Sequence, residues 1–338
     1  MIADFTLMLY VIIGDYMVDL GSKFRGTLLG VAVGDALGAT YEGASYKSTM
    51  GLLPKSILQT ALIYGEGKLR YTDDTLMTIA LAKSILEAGE FNPELAMQKY
   101  YEWYLTGDLR GIGITTNKAL HNYHITKDWK NSGVLSQWSA GNGTAMRVSP
   151  LALYHLSSPL DLLYRDVRRD AVLTHRNELS VTGSLVVALA VRFAINEEEK
   201  FNFIPKILSV LESFGLKNEV YQKLVDIDEL IYSKPNDPQD VALEIGNSGF
   251  VVESVAIALY QFITRNTFED VIYYTITCGG DTDTNASIAG AIAGAYYSEK
   301  AIPEIYLSRL ERLEELIALA NGLYKLYTLK QKTNTTLH

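Results

Sequence analysis

The stretch Gly279-Gly280-Asp281-Thr282-Asp283-Thr284-Asn285 sets two carboxylates, two hydroxyls and an amide directly behind a glycine pair. It leads into Ala286 to Ala295, a run of small side chains and isoleucines that reads as a closely packed helix. One helix N-terminus needs one capping side chain. Two aspartates a residue apart repel each other unless a cation lies between them. Hard oxygen donors at this density suit magnesium, manganese or calcium, so a metal site outweighs simple capping here. Asp281, Asp283 and Asn285 match the first three ligand positions of an EF-hand loop. Ala286 and Ile292, however, stand where that loop needs glycine and glutamate, which excludes it.

A second cluster, Thr72-Asp73-Asp74-Thr75, precedes the nearly all-apolar segment Leu76 to Ala88, a buried helix. Alone it would read as a cap with a dipole partner; two such clusters favour a shared metal centre. An isoprenoid-synthase aspartate motif would want another aspartate at Met77. Asp35 reads as a satisfied buried carboxylate. Glu42 sits where a helix C-terminus disfavours negative charge without a compensating partner. Gly111-Ile112-Gly113 and Gly141-Asn142-Gly143 are backbone-exposing turns that could lie against a phosphate or ribose. Neither a phosphate-binding Gly-x4-Gly-Lys-Ser/Thr loop nor a dinucleotide fingerprint is present. His175 has no adjoining aspartate of the HD type, which argues against that class of phosphohydrolase.

The elements that must position these residues are helical. Gly26, Gly30, Gly34 and Gly38 recur every fourth residue, lining one helix face that permits close backbone approach. Gly290 and Gly294 repeat the device, so these two helices are expected to touch through their glycines. Further helices are expected from Pro93 to Leu105, Pro159 to Asp170, Glu178 to Asn196, Phe203 to Phe214, Glu219 to Tyr232, Phe250 to Thr264, Phe268 to Thr277 and Pro303 to Tyr327. Gly43 to Arg70 reads as a long loop with a short helical piece. Gly107 to Thr144 reads as mostly loop, with a short helix near Thr116 to His121. No segment after residue 20 alternates as a strand, and the fold class is all-α.

The chain has 338 residues, enough for a sizeable core, and a net charge of −9 that argues against nucleic acid or anionic membrane as main partner. A single cysteine, Cys278, excludes an internal disulfide and suits a reducing, cytoplasmic setting. Phe5 to Ile13 is apolar, but Asp4 rather than a basic residue precedes it. It is also too short to span a bilayer. Residues 1–20 are therefore set apart as an extension, 21–330 as the functional domain and 331–338 as a tail.

The order Gly26-x3-Gly30-x3-Gly34-Asp35-Ala36-Leu37-Gly38, Glu42, Thr72-Asp73-Asp74-Thr75, Gly141-Asn142-Gly143-x-x-Met146-Arg147, Thr174-His175 and Gly279-Gly280-Asp281-Thr282-Asp283-Thr284 resembles the ADP-ribosylglycohydrolase family over roughly residues 22–325. The resemblance implies a compact all-α orthogonal bundle, monomeric, with a central cleft holding two Mg2+ (or Mn2+) ions. Thr72, Asp73, Asp74, Asp281, Asp283 and Thr284 would be the metal ligands, with Glu42, Asp73 and Asp283 as catalytic residues. Gly111, Gly113, Ser139, Gly141, Asn142, Gly143 and His175 would line the groove for ADP-ribose carried by a protein side chain or a small acceptor. Cleavage of the C1″ linkage passes through an oxocarbenium-like state. Two cations could fix the ribose diol and orient a water, and Glu42 could accept a proton. Many arginine-directed bacterial members carry aspartate where this chain has Gly111. Glycine there also occurs in relatives acting on O-linked ADP-ribose, which leaves the linkage open. The competing expectations are a hydrolase of a free ADP-ribose derivative and a non-catalytic reader or crystallin-like structural member.

Overall fold

The computed structural model describes residues 19–233 and 237–336. Residues 1–18 of the expected extension therefore lie outside the described residues. Among the described residues seventeen α-helices follow in order. The first six are α1 Leu20–Gly38, α2 Tyr46–Thr49, α3 Pro54–Tyr64, α4 Asp73–Ala88, α5 Pro93–Leu105 and α6 Ile114–Thr126. The middle group is α7 Ser149–Tyr154, α8 Leu160–Ala171, α9 Glu178–Ile195, α10 Phe203–Ser213 and α11 Glu219–Ser233. The last are α12 Pro238–Ile245, α13 Val251–Thr264, α14 Phe268–Thr277, α15 Thr282–Tyr297, α16 Glu304–Leu307 and α17 Leu313–Thr336. Among the described residues there is no strand, only four isolated bridges.

The fold is organised by α1 against α15, as the glycine spacing predicts. They run antiparallel, with Gly26 meeting Gly294, Gly30 meeting Gly290, Gly34 meeting Ala286 and Gly38 meeting Thr282. A Cβ at Gly30 would lie 2.0 Å from the Gly290 carbonyl oxygen, and one at Gly294 would lie 1.9 Å from that of Gly26. No side chain fits into this seam. The antiparallel sense brings the C-terminus of α1 to the N-terminus of α15, where Thr282 Oγ1 donates to the Gly38 carbonyl at 2.8 Å. Around this pair pack α9 and α13, buried nearly all round. Among the described residues α9 alone is long and apolar enough to cross a membrane, and 78% of it is buried inside the fold, which is the environment of a core helix.

Several expectations need correction. The segment from Gly43 to Arg70 contains two helices, α2 and the 11-residue α3. Only Ile57 and Ala61 of α3 are buried, so its apolar residues form no readable stripe. The helix expected near Thr116 to His121 extends over Ile114–Thr126. The closing helix is interrupted between Leu307 and Leu313, where Arg312 adopts φ 51° and Leu310 bridges Leu69. Helix α17 then runs through Thr336, into the segment set apart as a tail. At the other end, Asp19 caps α1 by accepting from Ser22 N at 3.0 Å. Asn92 caps α5, accepting from Glu94 N and Leu95 N.

Candidate active site

Asp35, on the buried face of α1, is where the first aspartate cluster is anchored. Its carboxylate accepts from Thr72 N (2.9 and 3.0 Å), Thr72 Oγ1 (2.8 Å), Thr75 N (3.0 Å) and Thr75 Oγ1 (2.6 Å). It is a fully satisfied buried carboxylate, as expected, and it caps α4 from another helix. Thr72 makes no side-chain cap of its own, and neither does Asp281 at the head of α15. Side-chain capping by Thr72 and Asp281 is thus overturned as an account of these clusters.

The second cluster is held from three sides. Gly279 and Gly280 take φ of 68° and 77°, and the Ala44–Gly280 bridge ties their loop to the one carrying Glu42. Gly43 N donates to Gly280 O at 2.8 Å, and Gly280 N to Ala44 O at 2.7 Å. Asp281 Oδ2 accepts from Asn142 Nδ2 at 2.9 Å, while the same amide nitrogen donates to Ser254 Oγ at 2.9 Å. A Cβ on Gly249 would stand 2.7 Å from Asp281 Oδ2, so that glycine makes room for the carboxylate.

A cavity of about 550 Å3 opens over these residues. Glu42, Asp73, Asp281, Asp283 and Thr284 line one part of it; Gly111, Gly113, Ser139, Gly141, Asn142, Gly143 and His175 also line it. Two expected ligands stand apart from the wall. Thr72 is turned into Asp35, and Asp74 lies behind the surface with its Oδ2 3.3 Å from both Thr72 Oγ1 and Thr284 Oγ1. Burial, reinforced by neighbouring carboxylates, pushes Asp73, Asp74 and Asp283 well above the usual carboxylate range. Burial also raises Asp35, to about 6, against the pull of its hydrogen bonds. At the exposed rim, Glu42 is raised by partial burial and by Asp281.

The donor chemistry fits hard divalent cations. The donors are all oxygens, the buried acids disfavour one another's charge, and the buried Asp74 Oδ1 has no hydrogen-bond partner. Among the described residues no three His, Cys, Asp or Glu side chains are drawn together as a ready metal cage. Bound cations would therefore also rely on threonine, water or substrate oxygens.

The structure gives the glycines of the groove specific duties. Gly111 has φ 79°, and a Cβ there would meet Asp73 Oδ1 at 2.5 Å and Thr72 Cβ at 2.8 Å. A side chain has no room at this position in the present loop, and Asp108 is turned away into an ion pair with Arg110. Gly141 and Gly143 flank the His175 ring; a Cβ would lie 3.3 Å from Nε2 at the first and 3.0 Å from Cε1 at the second. Burial, then Arg147, lower His175 to about 3, so the imidazole is neutral.

Sequence reasoning missed Ile114, Thr116, Lys118, Trp138 and Met146, which also line the cavity. Trp138 is 84% exposed and Ile114 89% exposed at its mouth. The sequence carries no signal for them, since a single exposed tryptophan is ordinary on a protein surface.

The model of the ADP-ribosylglycohydrolase family matches residues 17–333. An uncharacterised protein of Archaeoglobus fulgidus is 33% identical, the match covering 90% of this chain and 97% of that one. ADP-ribosylhydrolase ARH3 of Mus musculus is 31% identical over 90% of this chain and 92% of its own length. ADP-ribosylarginine hydrolase Tri1 of Serratia proteamaculans is 27% identical over 89% and 79% respectively. Among solved structures, an ADP-ribosylglycohydrolase-related protein complex superposes with TM-score 0.70 at 29% identity, covering 91% of this chain and 99% of that one. Helical architecture, motif order and a match spanning nearly the whole sequence agree: the chain belongs to the ADP-ribosylglycohydrolase family.

Proposed function

We propose that this enzyme hydrolyses the C1″ glycosidic linkage of ADP-ribose attached to a protein side chain or small acceptor, with Mg2+ (or Mn2+) held by the two aspartate clusters. The observation that carries the reading is the convergence of Asp73, Asp281 and Asp283 on one cavity wall, with Asp74 Oδ1 buried and unpartnered beside them. Thr72, Asp73, Asp74, Asp281, Asp283 and Thr284 would hold the cations. Bound there, the cations would neutralise the cluster and polarise the hydroxyls of the distal ribose.

The chain's own residues supply the rest. Asn142 orients Asp281 through its amide. Glu42, raised toward neutrality at the rim, can take a proton from water or return one to the leaving group. Gly111 leaves Asp73 uncovered on the wall. Trp138 and Lys118 stand at the open part of the cavity, where a base or a phosphate would lie. The crowding at Gly111 supports a site that does without the extra aspartate, and we infer a preference for O-linked over arginine-linked substrates.

The test is release of free ADP-ribose from serine-linked and arginine-linked substrates, with Mg2+ and with EDTA, beside Asp281→Ala. Metal-dependent release that is faster from the serine linkage and abolished in Asp281→Ala is expected. Full activity in EDTA would refute the metal assignment. Binding of ADP-ribose with no release from either substrate would make this chain a reader.

A further inference from the structure

Arg147 is wholly buried, and nothing in the reaction just described employs it. Its guanidinium donates to Asp170 Oδ2 (3.0 Å), the Asp170 carbonyl (2.9 Å), the Gly143 carbonyl (3.2 Å) and Thr174 Oγ1 (2.9 Å). Asp170 is held in turn by the Tyr100 hydroxyl at 2.7 Å. This buried frame touches the cavity at two points: the Gly143 turn and, through Thr174, the ring of His175.

The hydrogen-bond chain has a direction. Arg147 can only donate, so Thr174 Oγ1 accepts from it and keeps its own proton to give away. The other partner of that hydroxyl is His175 Nδ1, at 2.9 Å. If Nδ1 carried the imidazole proton, Thr174 Oγ1 would accept twice, and its buried O–H would face no acceptor among its hydrogen-bond partners, a costly arrangement. With Thr174 donating, every group in the chain is satisfied. Nδ1 is then the acceptor, and the proton sits on Nε2.

We propose that Arg147, acting through Thr174, locks His175 as a neutral imidazole with its proton on Nε2, so that the cavity wall presents a fixed, uncharged donor to a phosphoryl or sugar oxygen of the substrate. The flanking glycines serve the same arrangement, because a Cβ would stand 3.3 Å from Nε2 at Gly141 and 3.4 Å from it at Gly143, crowding the nitrogen that carries the proton. Arg147 and Thr174 are positioning residues, and His175 is the contact. A base or an acid is not on offer at this position: the ring's lone pair points inward to Thr174, and burial beside Arg147 resists a second proton. The lock rests on geometry alone. The identity of the acceptor rests on the proposed ADP-ribose site.

The chain has five histidines, so long-range 15N–1H spectra can assign the ring of His175 with one variant. The wild type should show a protonated Nε2 and a bare Nδ1 at neutral pH, with and without ADP-ribose. Thr174→Val should lose that single tautomer and bind ADP-ribose about five- to tenfold more weakly, the scale of one hydrogen bond; Thr174→Ser should restore both. His175→Gln, whose amide nitrogen reaches about where Nε2 lies, should bind within about threefold of wild type, whereas His175→Glu, an acceptor, should lose more than about tenfold. Ribose 5-phosphate and AMP as competing probes would tell a distal-ribose contact from one near the adenosine. A wild-type ring protonated on Nδ1, or doubly protonated at neutral pH, would overturn the lock even if ADP-ribose were released normally. The expected tautomer with no affinity for ADP-ribose would leave the lock standing and defeat the ADP-ribose reading instead.

Discussion

Replacing Gly30 by alanine tests how the two aspartate clusters are brought together. The new Cβ would start 2.0 Å from the Gly290 carbonyl oxygen and 2.7 Å from its carbon. An ordinary contact needs about 3.4 Å, so α1 and α15 must part by roughly an ångström. Nothing flexible can yield, because the obstacle is backbone. Overpacking of this kind costs about 1–3 kcal/mol and sometimes more, and a rigid carbonyl belongs at the upper end. Alanine recovers about 1 kcal/mol as the better helix former, leaving a net loss of about 2 kcal/mol. At ~2.1 cal/mol/K per residue, the unfolding entropy of 338 residues is about 0.7 kcal/mol/K, so Tm should fall by about 3 °C. The functional consequence depends on position along the seam. Gly26 lies far from the site, whereas a Cβ on Gly38 would meet Thr282 O at 2.3 Å and Asp283 Cα at 2.6 Å. Gly26→Ala and Gly38→Ala should therefore lose comparable stability, but Gly38→Ala should lose at least about tenfold more ADP-ribose release. Differential scanning fluorimetry and a release assay on the three variants check both halves. Unchanged Tm in Gly30→Ala, or equal activity losses at Gly26 and Gly38, would refute the reasoning.

Three further outcomes follow from the same geometry. Gly111→Ala should lower turnover at least tenfold and weaken Mg2+ binding, since a positive φ costs a side-chain-bearing residue about 1–2 kcal/mol and the new Cβ would push Asp73 aside; Mg2+ titrations of turnover check it. Asp74→Asn should raise the Tm of the Mg2+-free protein and abolish its rise on adding Mg2+. The carboxylate's folded-state pKa is raised, so it loses stability as pH climbs above the unfolded value; a cation at a hundredfold excess over Kd should restore about 2.7 kcal/mol in the wild type alone. His175, lowered to about 3, makes the opposite contribution: it stabilises above the unfolded value near 6.5, and that stability drains away as pH falls from 6.5 toward 3. Urea unfolding of wild type and His175→Gln between pH 7 and pH 4 should show the wild type's advantage shrinking as pH falls.

What could be read in advance was whatever leaves a local mark. Both aspartate clusters stand at helix starts, and the glycines of the seam keep strict four-residue spacing, so the placement of the clusters and the contact that aligns them were legible together. Asp35 was legible as a buried acid, but its partners were not: Thr72 and Thr75 lie 37 and 40 residues away. Their pairing makes the first cluster's cap come from another helix, which the sequence near Thr72 does not hint at. The helix α3 was hidden because a surface helix with two buried residues has no stripe to read. The break at Arg312 was hidden because it is marked by neither glycine nor proline. The Gly141-Asn142-Gly143 turn shows most clearly where sequence reasoning stops. Its glycines could be read as room for a ligand's phosphate, and the cavity does pass them. The nearest atoms that would crowd a side chain, however, belong to the His175 ring and to Thr116, both in other segments. A glycine states only that something comes close. Whether that is substrate or a protein group poised to meet substrate is decided by the frame behind it, here Arg147 with Thr174, whose atoms point the ring's proton outward.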